Sequence, residues 1–114
     1  MSLGDAAAPA PAPDGLALDL HARLGRSVVV MGIGNPERSD DGAGLLVAGL
    51  VADAAPRDAL PGGRRVTVLM AEEVPESWVG PAAAARPDTV LMVDAADLGA
   101  APGSVALREP EDLR

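Results

Sequence analysis

The loop from Gly32 to Gly44 (GIGNPERSDDGAG) holds the densest group of side chains suited to chemistry. Its two adjacent acids, Asp40 and Asp41, precede an apolar segment of helical character. Carboxylates in a first helical turn can simply cap free N–H groups and favour the helix dipole. The same carboxylates can bind a cation or move a proton. Both interpretations of the loop stay open on these residues alone.

The glycines of this loop also invite a test against the dinucleotide-binding fingerprint, G-x-G-x-x-G. The third glycine of that fingerprint would fall on position 37, which is Glu37. Two acids close behind it would repel a pyrophosphate. A small nucleotide-binding α/β domain therefore remains only as an alternative.

Asp94 is the second candidate, in the stretch VDAAD that ends an apolar run. In open α/β sheets, sites form outside the carboxyl ends of the strands. If the strands that precede Asp41 and Asp94 are neighbours, the two carboxylates converge there. Nearby carboxylates bind hard or borderline cations, or share a proton. The structural alternative is that Asp94 only caps the following turn.

Two further features carry weaker signals. The stretch Met70 to Glu76 (MAEEVPE) follows another apolar run, so Glu76 either caps a short helix or lines the same cleft. His21 lies before the first predicted strand, and we expect it to be a surface residue rather than a ligand.

The elements that must position these residues are predicted from hydrophobic periodicity, β-branched content and breakers. Continuous apolar runs predict buried strands, and the segment before Pro56 reads as a helix that is apolar almost all round. Residues 16–26 mix both periods and are left open. The predicted strands are Ser27–Ile33, Arg65–Met70, Thr89–Val93 and Ser104–Arg108, and the predicted helices are Asp41–Ala54 and Glu76–Ala85.

This order predicts an α/β fold with a mostly parallel sheet. The link between the last two strands is too short for a crossover helix, so we expect the fourth strand to be antiparallel or at an edge. Residues 1–15 are Ala/Pro-rich and predict a disordered tail, and residues 16–114 predict one domain.

Composition excludes several function classes for these 114 residues. Cysteine is absent, which removes disulfides, thiolate metal sites and a Cys nucleophile, and one His cannot form a two-His zinc motif. The net charge of −8 argues against nucleic acid and against a membrane surface. No signal peptide or spanning segment is apparent, so we expect a cytoplasmic protein.

Taken in order, the short motifs resemble those of the hydrogenase maturation endopeptidases, and most closely the hydrogenase-3 type. The resemblance runs from about Val28 to the last residue, and the ordered set of motifs is more specific than any single motif. The motifs are GIGN (32–35), DDGAG (40–44), VPE (74–76), VDAADLG (93–99) and Pro102-Gly103.

The resemblance implies an enzyme that removes a C-terminal extension from the large-subunit precursor of nickel–iron hydrogenases. It implies a three-layer fold, with a twisted sheet between helices. It also implies that nickel already placed in the precursor is recognised by two acids and one His. By position in the motifs, the acids are Asp41 and Asp94, which we expect to be both the nickel contacts and the catalytic residues. Water attack with a carboxylate as general base is one possible mechanism.

The family's His lies beyond the fourth strand, whereas this sequence stops at Arg114, and His21 is on the wrong side of the first strand. Our hypothesis is a C-terminally truncated family member, whose open sheet edge makes self-association plausible. A non-catalytic module that docks the precursor or its nickel is the alternative from another class.

Overall fold

The structure is a computed structural model that describes residues 15–37, 42–55, 59–60, 62–95 and 103–109. The predicted tail, apart from Gly15, lies outside these residues, as do Asp40, Asp41 and the turn from Asp97 to Pro102. The helices are α1 (Leu16–Arg23), α2 (Ala43–Ala54), a 3-10 helix (Pro75–Trp78) and α3 (Val79–Ala84); the strands are β1 (Ser27–Ile33), β2 (Ala59–Leu60), β3 (Arg64–Glu72) and β4 (Thr89–Val93).

One sheet of four strands joins these elements in the order β2-β3-β1-β4. The central strand β1 runs parallel to both β3 and β4, and β2 pairs antiparallel with β3. The three long strands are those that the apolar runs predicted, so the predicted parallel α/β fold is confirmed. Buried central strands of this kind carry near-continuous Val and Ile runs because both faces are covered.

Helices cover both faces of the sheet, which gives three layers. Alternate residues of β1 point to opposite faces. On one face, Val28 and Val30 pack with Val66 of β3 and with Ala48 and Ala55 at α2. On the other face, Val29 and Met31 pack with Ala71 of β3 and Ala82 of α3. The interior is therefore built from small side chains, which lets the helices lie close to the sheet.

The chain divides into two compact units. Residues Arg23–Ala96 form the unit that contains the sheet, and Met1–Ala22 with Asp97–Arg114 form the other. Of the second unit, the structure describes most of α1 and the segment from Gly103 to Glu109. Helix α1 has no buried residue. The predicted single domain over 16–114 stays a prediction.

The strand predicted at Ser104–Arg108 is wrong, because residues 104–109 form no regular structure. Alternating Val105 and Leu107 suggested a strand, but β propensity depends on a partner and on a face to bury. Val105 is instead exposed, and the sheet includes no strand from this segment. The antiparallel edge strand is β2, which the sequence did not predict because it has only two residues.

Other boundaries differ by smaller amounts. The segment 16–26, left open, contains helix α1, and the predicted helix 76–85 divides into the 3-10 helix and α3. The observed α2 begins at Ala43 rather than Asp41. Among the described residues, no helix has the length and apolar character needed to cross a bilayer.

Candidate active site

The carboxyl ends of the three parallel strands lie at one edge of the sheet, here called the carboxyl edge. In register, Gly32 of β1 lies beside Val93, the last residue of β4, and Ile33 lies beside Glu72, the last residue of β3. Asp94 follows Val93 directly and is exposed. The neighbouring parallel placement of β1 and β4, on which the expected convergence of Asp41 and Asp94 depends, is confirmed.

The chain leaves β1 through a turn fixed by backbone and amide groups. Gly34 has a φ of +149°, a conformation that favours glycine, and its N–H donates to the carbonyl oxygen of Glu72 at 3.0 Å. Asn35 Oδ1 then accepts from the N–H of Glu37 at 2.9 Å. This Asx turn gives Asn35 a local structural role, and it positions the start of the acidic loop.

Helix α2 begins directly against the ends of β1 and β4. A Cβ at Gly44 would overlap the carbonyl oxygens of Val93 and Ile33. Gly32 of β1 also allows α2 to approach the sheet closely, because a Cβ there would lie 2.7 Å from the Cβ of Ala48. Glycine is therefore required at position 44 for the first turn of α2 to lie at the carboxyl edge. Its free N–H groups favour negative charge there.

The position of Asp41 lies outside the described residues, so its approach to Asp94 stays a prediction. The structure describes its neighbour Gly42, which is the N-cap of α2 and makes no side-chain capping bond. Asp94 accepts no side-chain hydrogen bond from any residue that the structure describes. Its side chain is exposed at the carboxyl edge.

A cavity that the sequence did not predict lies at the end of β3. The register shifts between Gly32 and Ile33, so β3 carries an extra residue, and Glu72 has a φ of +56°. This bulge redirects the chain at the end of β3, beside a cavity of about 290 Å³. The cavity is lined by Met70, Ala71, Glu72, Glu73, Val74 and Trp78. The signals available in the sequence were the lone Trp and the adjacent acids.

Glu76 lies in the first turn of the 3-10 helix and does not line this cavity. The N-cap of that helix, Val74, makes no side-chain capping bond. Glu76 instead lines a second, larger groove beside α3. His21 lies exposed on α1, in the other compact unit. Within the described ranges, no group of three or more His, Asp or Glu side chains is placed to hold a metal ion.

The fold and the carboxyl edge define a class: a parallel α/β protein whose acids follow the ends of neighbouring strands. No family model matches the sequence. The chain is 35% identical over 85 residues to the hydrogenase 3 maturation protease of Escherichia coli K12. The same protease from E. coli O157:H7 gives the same identity. Each match covers 75% of this chain and 50% of the relative.

A solved structure is also similar to this chain. The crystal structure of a [NiFe] hydrogenase maturation protease, HycI, from Thermococcus kodakarensis KOD1 is similar with a TM-score of 0.62 and 37% identity. The matched region covers 75% of this chain and 51% of the T. kodakarensis chain. The resemblance to the hydrogenase maturation proteases is therefore confirmed over 85 residues, and this chain spans about half the length of the relatives that it matches.

Proposed function

We propose that this chain acts as an endopeptidase that removes the C-terminal extension of a nickel-loaded hydrogenase large-subunit precursor. The observation that carries the proposal is the exposed Asp94 beside the first turn of α2, at the carboxyl edge of the sheet. The names of the relatives support the reaction class. The precursor is then the partner, and the cytoplasm is the expected location.

In this proposal, nickel belongs to the substrate. Asp41 and Asp94 contact the metal in the precursor and hold its C-terminal region along the carboxyl edge. Carboxylate oxygens are acceptable ligands for nickel, although imidazole suits it better. The scissile peptide then lies against the edge, where a carboxylate takes a proton from the attacking water and returns it to the leaving amine as the C–N bond breaks. Besides Asp94, the described carboxylates near this edge include Glu72 and Glu73.

The test is cleavage of nickel-loaded precursor by the full-length protein. Cleavage is measured as the decrease in mass of the large subunit. We expect Asp94→Asn and Asp41→Asn each to slow processing by about a hundredfold or more, as loss of a group that acts on the reacting atoms does. Asp53→Asn is the matched control, because Asp53 is an exposed acid in α2 away from its first turn. Normal cleavage by both site variants would refute the assignment.

The second candidate is a module that binds the precursor and cuts nothing. Like the endopeptidase, such a module would use the exposed Asp94 at the carboxyl edge to contact the precursor. A pull-down with nickel-loaded precursor separates the two: binding with an unchanged precursor mass supports the module. A nucleotide-binding domain remains disfavoured, since Glu37 is held in the Asx turn where the fingerprint needs glycine. Calorimetry with NAD and ATP is expected to show no binding.

A further inference from the structure

Strand β3 is open along most of one edge. The short strand β2 pairs only with its first two residues, Arg64 and Arg65. From Val66 to Glu72, β1 is the only strand neighbour of β3 in the part of the chain that the structure describes. An unpaired edge presents N–H and C=O groups that can pair with another extended segment. Residues 66–71, Val-Thr-Val-Leu-Met-Ala, include neither charge nor proline to discourage such pairing.

The backbone hydrogen bonds of β3 determine which amides point to this open edge. The N–H of Arg65 donates to the carbonyl oxygen of Arg26 at 2.7 Å, so the backbone groups of Arg65 point to the β1 side. Successive residues of a strand direct their N–H and C=O groups to opposite sides. The backbone groups of Val66, Val68 and Met70 therefore point to the open edge.

The open edge ends beside the candidate active site. There the carbonyl oxygen of Glu72 accepts from the N–H of Gly34 at 3.0 Å, which joins the end of β3 to the loop after β1. Neighbouring strands are about 4.8 Å apart, so Asp94, two strands away, lies roughly 10 Å from the end of β3. An extended peptide rises about 3.3 Å per residue. A segment held on the open edge thus reaches Asp94 within about three residues.

The occupant of the edge follows from the proposed function, on which this inference rests. When the scissile bond lies at the carboxyl edge, the extension is the free end of the precursor beyond that bond. It can run from the site toward the amino end of β3, antiparallel to that strand. We propose that the open edge of β3 binds the C-terminal extension of the precursor as an added antiparallel strand. Such main-chain pairing gives affinity for an extended segment, while side-chain pockets give specificity.

A second copy of this chain fits the edge less well. Antiparallel pairing of two β3 strands about Val68 would place Glu72 of one copy opposite Arg64 of the other, where β2 already pairs. That overlap leaves only the stretch from Val66 to Met70 for the contact. Each copy also carries a net charge of −8, which opposes association. Self-pairing is therefore an outcome of the test that contradicts the proposal.

Amide hydrogen exchange tests binding to the full-length protein without any cleavage. The probe is a synthetic peptide that copies the C-terminal extension of the precursor used in the cleavage assay. In the free protein, we expect the amides of Val66, Val68 and Met70 to exchange about tenfold or more faster than those of Thr67 and Leu69. With the peptide, exchange at the first three should slow by about tenfold or more. Unchanged rates, or protection that rises with protein concentration in the absence of peptide, would overturn the proposal.

Val68→Pro tests the same pairing during processing. Proline removes the N–H at the open edge, and an edge strand tolerates proline where that N–H faces solvent. Val68→Ala is the matched variant, because it also changes the side chain but keeps the N–H. We expect the KM for nickel-loaded precursor to be about tenfold higher for Val68→Pro than for Val68→Ala, with similar kcat.

The inference and the proposed function can fail separately. If the unsubstituted protein leaves the precursor intact, the proposed function is wrong, and the exchange experiment still decides whether the edge binds the extension. If the unsubstituted protein cleaves the precursor and the two Val68 variants have equal KM, the edge does not bind the extension. Circular dichroism checks that Val68→Pro folds. If that variant is unfolded, the exchange pattern alone decides.

Discussion

Asp88 and Asp94 flank the same strand, β4, yet their carboxylates lie in different surroundings. Asp88 Oδ2 accepts hydrogen bonds from the N–H groups of Arg26 at 3.0 Å and Ser27 at 3.1 Å. Its own N–H donates to the carbonyl of Ser27 at 2.8 Å. Asp94 receives no such bonds from the described residues. The difference separates an acid that joins two strands from an acid that is exposed and has no hydrogen bond to any described residue.

The neighbouring residues strengthen the contrast. Beside Asp88, Thr89 Oγ1 accepts from the N–H of Gly25 at 3.0 Å, which ties the start of β4 to the segment before β1. The buried Ser27 Oγ lies 3.5 Å from the carbonyl of Ala85. At the Asp94 end, the contacts instead come from the close approach of α2. Side-chain hydrogen bonds hold the Asp88 end of β4 against the start of β1. The Asp94 end is instead packed against α2, which can approach closely because Gly44 has no side chain.

Gly44→Ala should produce the largest change in stability. The added Cβ would overlap two carbonyl oxygens of the sheet, so α2 must shift, and we expect the free energy of unfolding to fall by about 3 kcal/mol. Urea unfolding followed by circular dichroism measures this. Gly49→Ala is the control in the same helix, because its Cβ would meet only Met70 Cε at 3.6 Å. That variant should gain up to about 1 kcal/mol. Equal effects of the two would contradict the close fit.

Asp88→Ala should give the next largest change. It removes an acceptor for two backbone N–H groups near the protein surface, which we expect to cost about 1–2 kcal/mol of unfolding free energy. Asp88→Asn keeps one acceptor oxygen and should lose less. If urea unfolding shows no loss for Asp88→Ala, the assigned role in joining β1 to β4 is wrong. Precursor processing by the folded variant should be unaffected.

Asp94→Asn should change stability least, by no more than about 0.5 kcal/mol, because the side chain is exposed and accepts no hydrogen bond from the described residues. The same variant is expected to slow processing by about a hundredfold or more. Measuring both quantities on one preparation tests the comparison directly. A large stability loss with normal processing would show that Asp94, like Asp88, acts structurally.

The sequence predicted the strands and the parallel fold well, because buried Val-rich runs such as Ser27–Ile33 depend little on context. It did not distinguish Asp88 from Asp94, since both are acids at the ends of one strand and only tertiary hydrogen bonds separate their roles. The strand at 104–108 failed because pairing is non-local. The cavity beside Trp78 was missed because it depends on a bulge in β3. The roles of Asp41 and Asp94 in nickel contact remain predictions.

Trp78 lines the cavity at the carboxyl end of β3, and the chain has no other Trp and no Tyr. All of its near-ultraviolet emission therefore comes from one indole beside the candidate site. A change in the wavelength or intensity of that emission would report on binding at this edge without any label, and a precursor fragment without Trp would leave the signal unobscured. The protein thus contains its own optical probe of the surface that it is proposed to use.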